Sequence, residues 1–170
     1  MKELNISSSY INDWENIVLL KQLETLSVSN LKAADLEHFK EQAKTLNITE
    51  HVSMPGRVNN VAQILPACAF AVHPSKGEVG YSLSILEYMR AGLPVIVPGN
   101  PSVCGATIDN ETGLLYQDEC KYSCVESIKK LLTNSDQRRS MGLASSKQQA
   151  SKYNLENCHN QLIIAFKVLI

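Results

Sequence analysis

The chain has 170 residues, 44% hydrophobic and 19% charged, the balance of one globular domain with a real core rather than of a disordered or fibrous chain. A net charge of −1 gives no electrostatic reason to expect nucleic acid or an anionic membrane as partner. No apolar run approaches the ~18–20 residues that span a bilayer, and MKELNISSSY at the start is not a signal peptide.

In chain order, residues 1–30 are expected to form a helical segment. Ile11, Trp14, Ile17, Val18 and the run Leu20 to Leu26 suggest one amphipathic helix, with Asn12 or Asp13 as cap. In the next helix Leu36, Phe39, Ala43 and Leu46 share one face of a 3.6-residue period. His51 to Met54 reads as a short strand closed by Pro55-Gly56, and Asn60 to Leu65 as a short helix stopped near Pro66. Cys68 to Val72 and Pro94 to Val97 are nearly uninterrupted apolar strands, as expected of parallel strands buried on both faces. Between them runs a helix, Ser84 to Ala91, ended by Gly92. A strand, Gly113 to Tyr116, leads into a helix with Val125, Ile128 and Leu132 on its inner face, and two more helices follow at 135–152 and 155–169. Alternation of this kind over 31–170 predicts a Rossmann-like α/β fold, a parallel sheet with helices on both faces and ligands at the carboxyl ends of its strands.

The five cysteines (68, 104, 120, 124 and 158) are odd in number and form no CxxC pair, which fits a reduced, cytoplasmic setting. Cys120 and Cys124 alone fall short of a metal ligand set, no HxxxH or HExxH occurs, and no metal is expected. Lys129-Lys130 and Arg138-Arg139 read as solvated helix faces, and His38, His51 and His159 as surface residues.

The stretch from His73 to Gly92, HPSKGEVGYSLSILEYMRAG, carries the chemistry. A strand, a glycine-bearing loop and a helix follow one another, with Glu78 and Glu87 on either side of the loop-to-helix junction. A helix N-terminus offers backbone N–H groups and partial positive charge to a phosphate. Ionised carboxylates accept hydrogen bonds and so suit the hydroxyls of a sugar or ribose. Together they describe a site for a sugar nucleotide, which would be substrate rather than cofactor; no cofactor is expected.

MPGRV, AVHPSKGE, YSLSILEYMRAGLPVIV and NETGLLYQDE resemble the C-terminal, donor-binding domain of the retaining two-domain glycosyltransferases, glycosyltransferase family 4 or group 1, over roughly residues 31–167. The resemblance implies the C-terminal half of a B-type fold and transfer of a hexosyl group from a nucleotide-activated sugar to a saccharide or lipid-linked acceptor, as in polysaccharide biosynthesis. In that family one glutamate reaches the donor sugar, a second, after seven intervening residues, reaches the ribose, and backbone between them holds the diphosphate. Glu87 matches the second. Eight residues separate it from Glu78, so strict spacing brings Val79 to the first position and a one-residue insertion restores Glu78. Gly80, Tyr81 and Ser82 are the expected diphosphate contacts, and Arg57 of PGRV is assigned to the neighbourhood of the nucleobase.

Two further departures concern Pro101-Ser102, which stand where the family often has Gly-Gly, and the phosphate-neutralising Arg and Lys, which have no match in the first thirty residues. The family's N-terminal acceptor-binding domain is not in this sequence. An added domain or second subunit is therefore the expected partner, with peripheral membrane association only through that missing half.

Each site residue also has a structural reading. Ser84-Ile85-Leu86-Glu87 spells a capping box, and Glu78 reads equally as a solvated loop carboxylate. Gly80 suits a tight turn. His73, ahead of Pro74, is a strand-end residue before it is a general base, and no catalytic residue is assigned. Tyr88 and Met89 suit the core. Leu155, Cys158, Leu162, Phe166 and Leu169 leave the last helix with an apolar face of the kind that marks an interaction site or an aggregation liability. The alternative to an enzyme half is a non-catalytic or truncated nucleotide-binding or interaction module.

Overall fold

The computed structural model describes residues 3–7, 25–29, 33–56, 59–78 and 82–168. Among these residues the strands are β1 (Glu3–Ser7), β2 (Thr25–Ser29), β3 (Val52–Gly56), β4 (Phe70–Val72), β5 (Val95–Pro98) and β6 (Gly113–Tyr116). They form one sheet in the order β3-β2-β1-β4-β5-β6, with every pairing parallel. The helices are α1 (Ala33–Thr45), α2 (Val61–Ile64), α3 (Leu83–Arg90), α4 (Lys121–Thr133), α5 (Ser135–Lys152) and α6 (Leu155–Val168). None of them is long and apolar enough to cross a membrane.

β4 and β5 are buried along their whole length, and the two-residue alternation of a strand sends their side chains into two separate cores. Phe70, Val72 and Ile96 join Phe39 of α1, Ile128 and Leu131 of α4 and Met141 of α5 on one face. Ala71, Val95 and Val97 join Ile85, Tyr88 and Met89 of α3 on the other. Fully buried aliphatic side chains such as Ile96 and Leu131 contribute about 1.5–3 kcal/mol each. Cys68 and Cys104 pack as the small apolar residues expected of them, and Tyr88 and Met89 are core.

Under the first core, burial pushes the Cys124 thiol up to about 12. Burial likewise raises the neighbouring Tyr116 hydroxyl above its ordinary range, with smaller contributions from Cys124 and Asp118.

α5 packs against both α4 and α3. The contact with α3 depends on two glycines. Gly92 ends α3 in the left-handed conformation, φ 75°, which costs glycine nothing. Its carbonyl then lies so close to Gly142 of α5 that a side chain at 142 would collide with it.

The helix expected over the first thirty residues is corrected at its end, because Thr25 and Leu26 lie in β2; Ile11 to Leu20 lie outside the described residues. β1 and β2 pair with each other, and β1 also pairs with β4, so the sheet runs across the expected division at residue 30. The strand signal is present in ELNIS and TLSVS, which alternate polar and apolar residues. Five-residue runs of that kind are easily overlooked beside the longer apolar stretch around Leu20.

Candidate functional site

The strand order 3-2-1-4-5-6 reverses between β1 and β4, and open parallel sheets bind ligands outside the carboxyl ends of the strands at such a reversal. β1 and β4 run side by side with Ile6 opposite Val72, and the chain leaves β4 at His73. The His73 backbone N–H donates to the Ile96 carbonyl at 2.9 Å, continuing the ladder one residue beyond the strand.

His73 is buried, with 3% of its surface exposed. Its Nε2 lies 2.7 Å from Glu78 Oε1 and 3.3 Å from Ser82 Oγ. An ionised Glu78 can only accept, so Nε2 carries the proton and donates it to the carboxylate. Nδ1 is buried without a hydrogen-bond partner among the described residues. Glu78 itself is not the freely solvated loop carboxylate of the structural reading: its side chain is 27% exposed and anchored through one oxygen.

Ser82 precedes α3 as its N-cap residue, with extended φ −65° and ψ 121°. Its carbonyl accepts the Leu86 N–H at 3.2 Å, while its hydroxyl makes no capping bond to α3. Among the described residues, no side chain caps the amides that open this helix. The start at Leu83 also corrects the capping box: Ser84 is already the second helical residue and Glu87 the fifth, too far along to cap. Glu87 is exposed and pairs with no charged side chain among the described residues.

The structure thus brings His73, Glu78 and Ser82 together at the end of β4, with Glu87 on the helix that begins there. Val79, Gly80, Tyr81 and Arg57 lie outside the described residues.

Asn100, just past β5, was missed by the sequence reading. Its Nδ2 donates to the Lys76 carbonyl at 3.1 Å and to Asp118 Oδ2 at 3.1 Å. Its Oδ1 accepts from the Ser102 N–H and hydroxyl at 3.0 and 2.9 Å. One amide thereby joins the loops that follow β4, β5 and β6. The Asn-Pro dipeptide, a turn-initiating pair, was the available signal.

By contrast, the ETG turn belongs to the opposite end of the sheet, since it precedes β6. Thr112 is 1% exposed and its hydroxyl accepts the Ile108 N–H at 2.8 Å. Lys130 Nζ donates to Asn110 Oδ1 at 2.7 Å, and Arg138 donates to the carbonyls of Leu131 and Leu132 at the end of α4. Lys130 remains exposed, as a solvated helix face should, while half-buried Arg138 closes the end of α4.

Fold and strand-end geometry together define a Rossmann-like domain with a polar site at its topological switch. Residues 29–148 match the family described as Glycosyl transferases group 1, and the chain belongs to that family. The D-inositol 3-phosphate glycosyltransferase of Corynebacterium diphtheriae is 26% identical over 114 residues, which are 66% of this chain and 26% of that protein. Its namesake from Corynebacterium urealyticum is 26% identical over 132 residues, 76% of this chain and 31% of that protein. The chain therefore spans between about a quarter and a third of the length of these curated relatives.

Among solved structures, Anabaena Alr3699/HepE in complex with UDP has a TM-score of 0.83 at 13% identity, covering 98% of this chain and 49% of that one. The C-terminal domain of the group 1 glycosyl transferase LpcC from Francisella tularensis has a TM-score of 0.74 at 18% identity, covering 91% of this chain and 87% of that domain. The fold is that of the C-terminal-type domain of a B-type glycosyltransferase.

Proposed function

We propose that the chain is the donor-binding half of a retaining, family 4 glycosyltransferase that takes its sugar from a nucleoside diphosphate carrier. The observation that carries this reading is the pair of carboxylates, Glu78 and Glu87, on either side of an uncapped helix N-terminus at the switch between β1 and β4. In it the amides of α3 hold the diphosphate and stabilise it as it departs, by preorganised dipoles. Glu87 accepts from the ribose hydroxyls and Glu78 from the sugar. Val79, Gly80 and Tyr81 complete the diphosphate loop, and Arg57 stands toward the base.

UDP in one structural neighbour and UDP-glucose in another crystal of the same protein support a nucleotide-sugar ligand. An acceptor-binding domain or second subunit completes the cleft for a saccharide or lipid-linked acceptor, and the isolated chain turns over little or no donor. The apolar face of α6, with Leu155, Leu162 and Phe166 exposed, supports such a partner, and the five free cysteines support a reducing, cytoplasmic setting.

Calorimetry and ligand-detected NMR with UDP-glucose and a GDP-hexose test the reading. Wild type is expected to bind one of them with a Kd of roughly 0.1–1 mM. Glu87→Ala should weaken it at least tenfold, the loss of about 1.4 kcal/mol. No binding by the wild type at millimolar ligand would overturn the donor role.

A further inference from the structure

The Glu78 carboxylate stands one residue further from Glu87 than the family's spacing provides, yet it is held rather than loose. The group that holds it is His73, which sits on β4's hydrogen-bonded extension and is itself almost wholly buried. We infer that His73 is a positioning residue for sugar recognition: its Nε2–H fixes Oε1 of Glu78, leaving the other oxygen to accept from a donor-sugar hydroxyl.

This rests on the donor reading above. The argument is geometric. A loop lengthened by one residue gives a carboxylate more conformations, and each must be frozen out on binding. A charge-assisted bond of 2.7 Å from a rigid, buried imidazole removes that freedom beforehand. The same Nε2 reaches Ser82 Oγ at 3.3 Å, so the sugar-facing carboxylate and the N-cap residue of the diphosphate-binding helix share one reference point. His73 needs no contact with the ligand to do this.

Titration of the 170-residue chain with UDP and with UDP-glucose separates the sugar's share of affinity from the nucleotide's. His73→Phe is expected to cost UDP-glucose about ten times more affinity than it costs UDP, the factor that about 1.4 kcal/mol gives. His73→Gln, whose amide can still donate to the carboxylate, should recover most of that selectivity even if the Phe variant folds poorly. In a Glu78→Gln background the His73→Gln change should leave the UDP-glucose to UDP ratio where it is.

A ligand-free measurement distinguishes failure here from failure of the donor reading. Imidazole nitrogen NMR of the wild type should show the proton of His73 on Nε2, and Glu78→Ala should shift that signal. A His73 signal indifferent to Glu78→Ala, or variants that lose UDP and UDP-glucose equally, would overturn the positioning role. An intact His73–Glu78 signal in a chain that binds neither nucleotide would overturn the donor reading, and with it any part for His73 in recognising sugar.

Discussion

Thr112 illustrates how one side chain can matter to the family motif without touching the chemistry. Its hydroxyl accepts the Ile108 N–H at 2.8 Å in a buried turn. Thr112→Val keeps the volume but removes that acceptor, and should lower unfolding stability by about 1–3 kcal/mol in urea titrations. Thr112→Ser should keep most of it. Because the turn lies at the amino end of β6, nucleotide affinity should be unchanged in the folded Val variant.

Cys124 makes a second prediction at this scale. Its thiol is raised from an ordinary 9.0 to about 12 by burial, so the folded chain holds the neutral form where the unfolded chain would ionise. A group raised in this way contributes its full stability below the unfolded value and loses it as pH climbs toward the folded one. The thermal midpoint of the wild type should therefore fall between about pH 9 and 12, and Cys124→Ala should fall less over that interval, by differential scanning fluorimetry. Alkylation at pH 8.5 should reach exposed Cys158 long before Cys124.

At the scale of elements, the fold depends on how closely α3 and α5 approach. A methyl at Gly142 would meet the carbonyl oxygen of Gly92, a backbone atom that cannot swing aside. Alanine normally improves a helix interior by about 1 kcal/mol over glycine. Here overpacking costs of about 1–3 kcal/mol oppose it, so Gly142→Ala should lower the unfolding midpoint. It should also shift α3 and weaken nucleotide binding, a pairing of effects that a purely local strain would not give.

For the whole molecule, legibility followed burial. β4, β5 and β6 were readable because strands covered on both faces leave continuous apolar runs, and α4, α5 and α6 because their periods are long. β1 and β2 were not, since their short alternation lies beside apolar residues that suggest a helix. At the site, Glu78, Ser82 and Glu87 stood out as chemistry next to a helix start, and the ladder order confirms that the loop after β4 leaves the sheet beside its switch point. The sequence could not show that His73 grips Glu78, nor that Asn100 bridges three loops. The Asn100 contacts join loops that meet only once parallel strands have aligned their ends, and the His73–Glu78 contact is a turn within one loop that carries no periodic signal. The capping box misled for a related reason: Ser82 and Ser84 both suit an N-cap, and tertiary contact with His73 accompanies the earlier start.

The Asn100 bridge has a practical consequence for grafting the loop that follows β4. Transplanting residues 74–81 from a relative moves the Lys76 carbonyl to which Asn100 donates, and with it the register of the segments beginning at Pro101 and Asp118. Chimeras should behave as though three segments were one cassette. Swaps that carry the Asn100 region and the Asp118 turn along with the graft are expected to express as folded protein more often than swaps of the first segment alone.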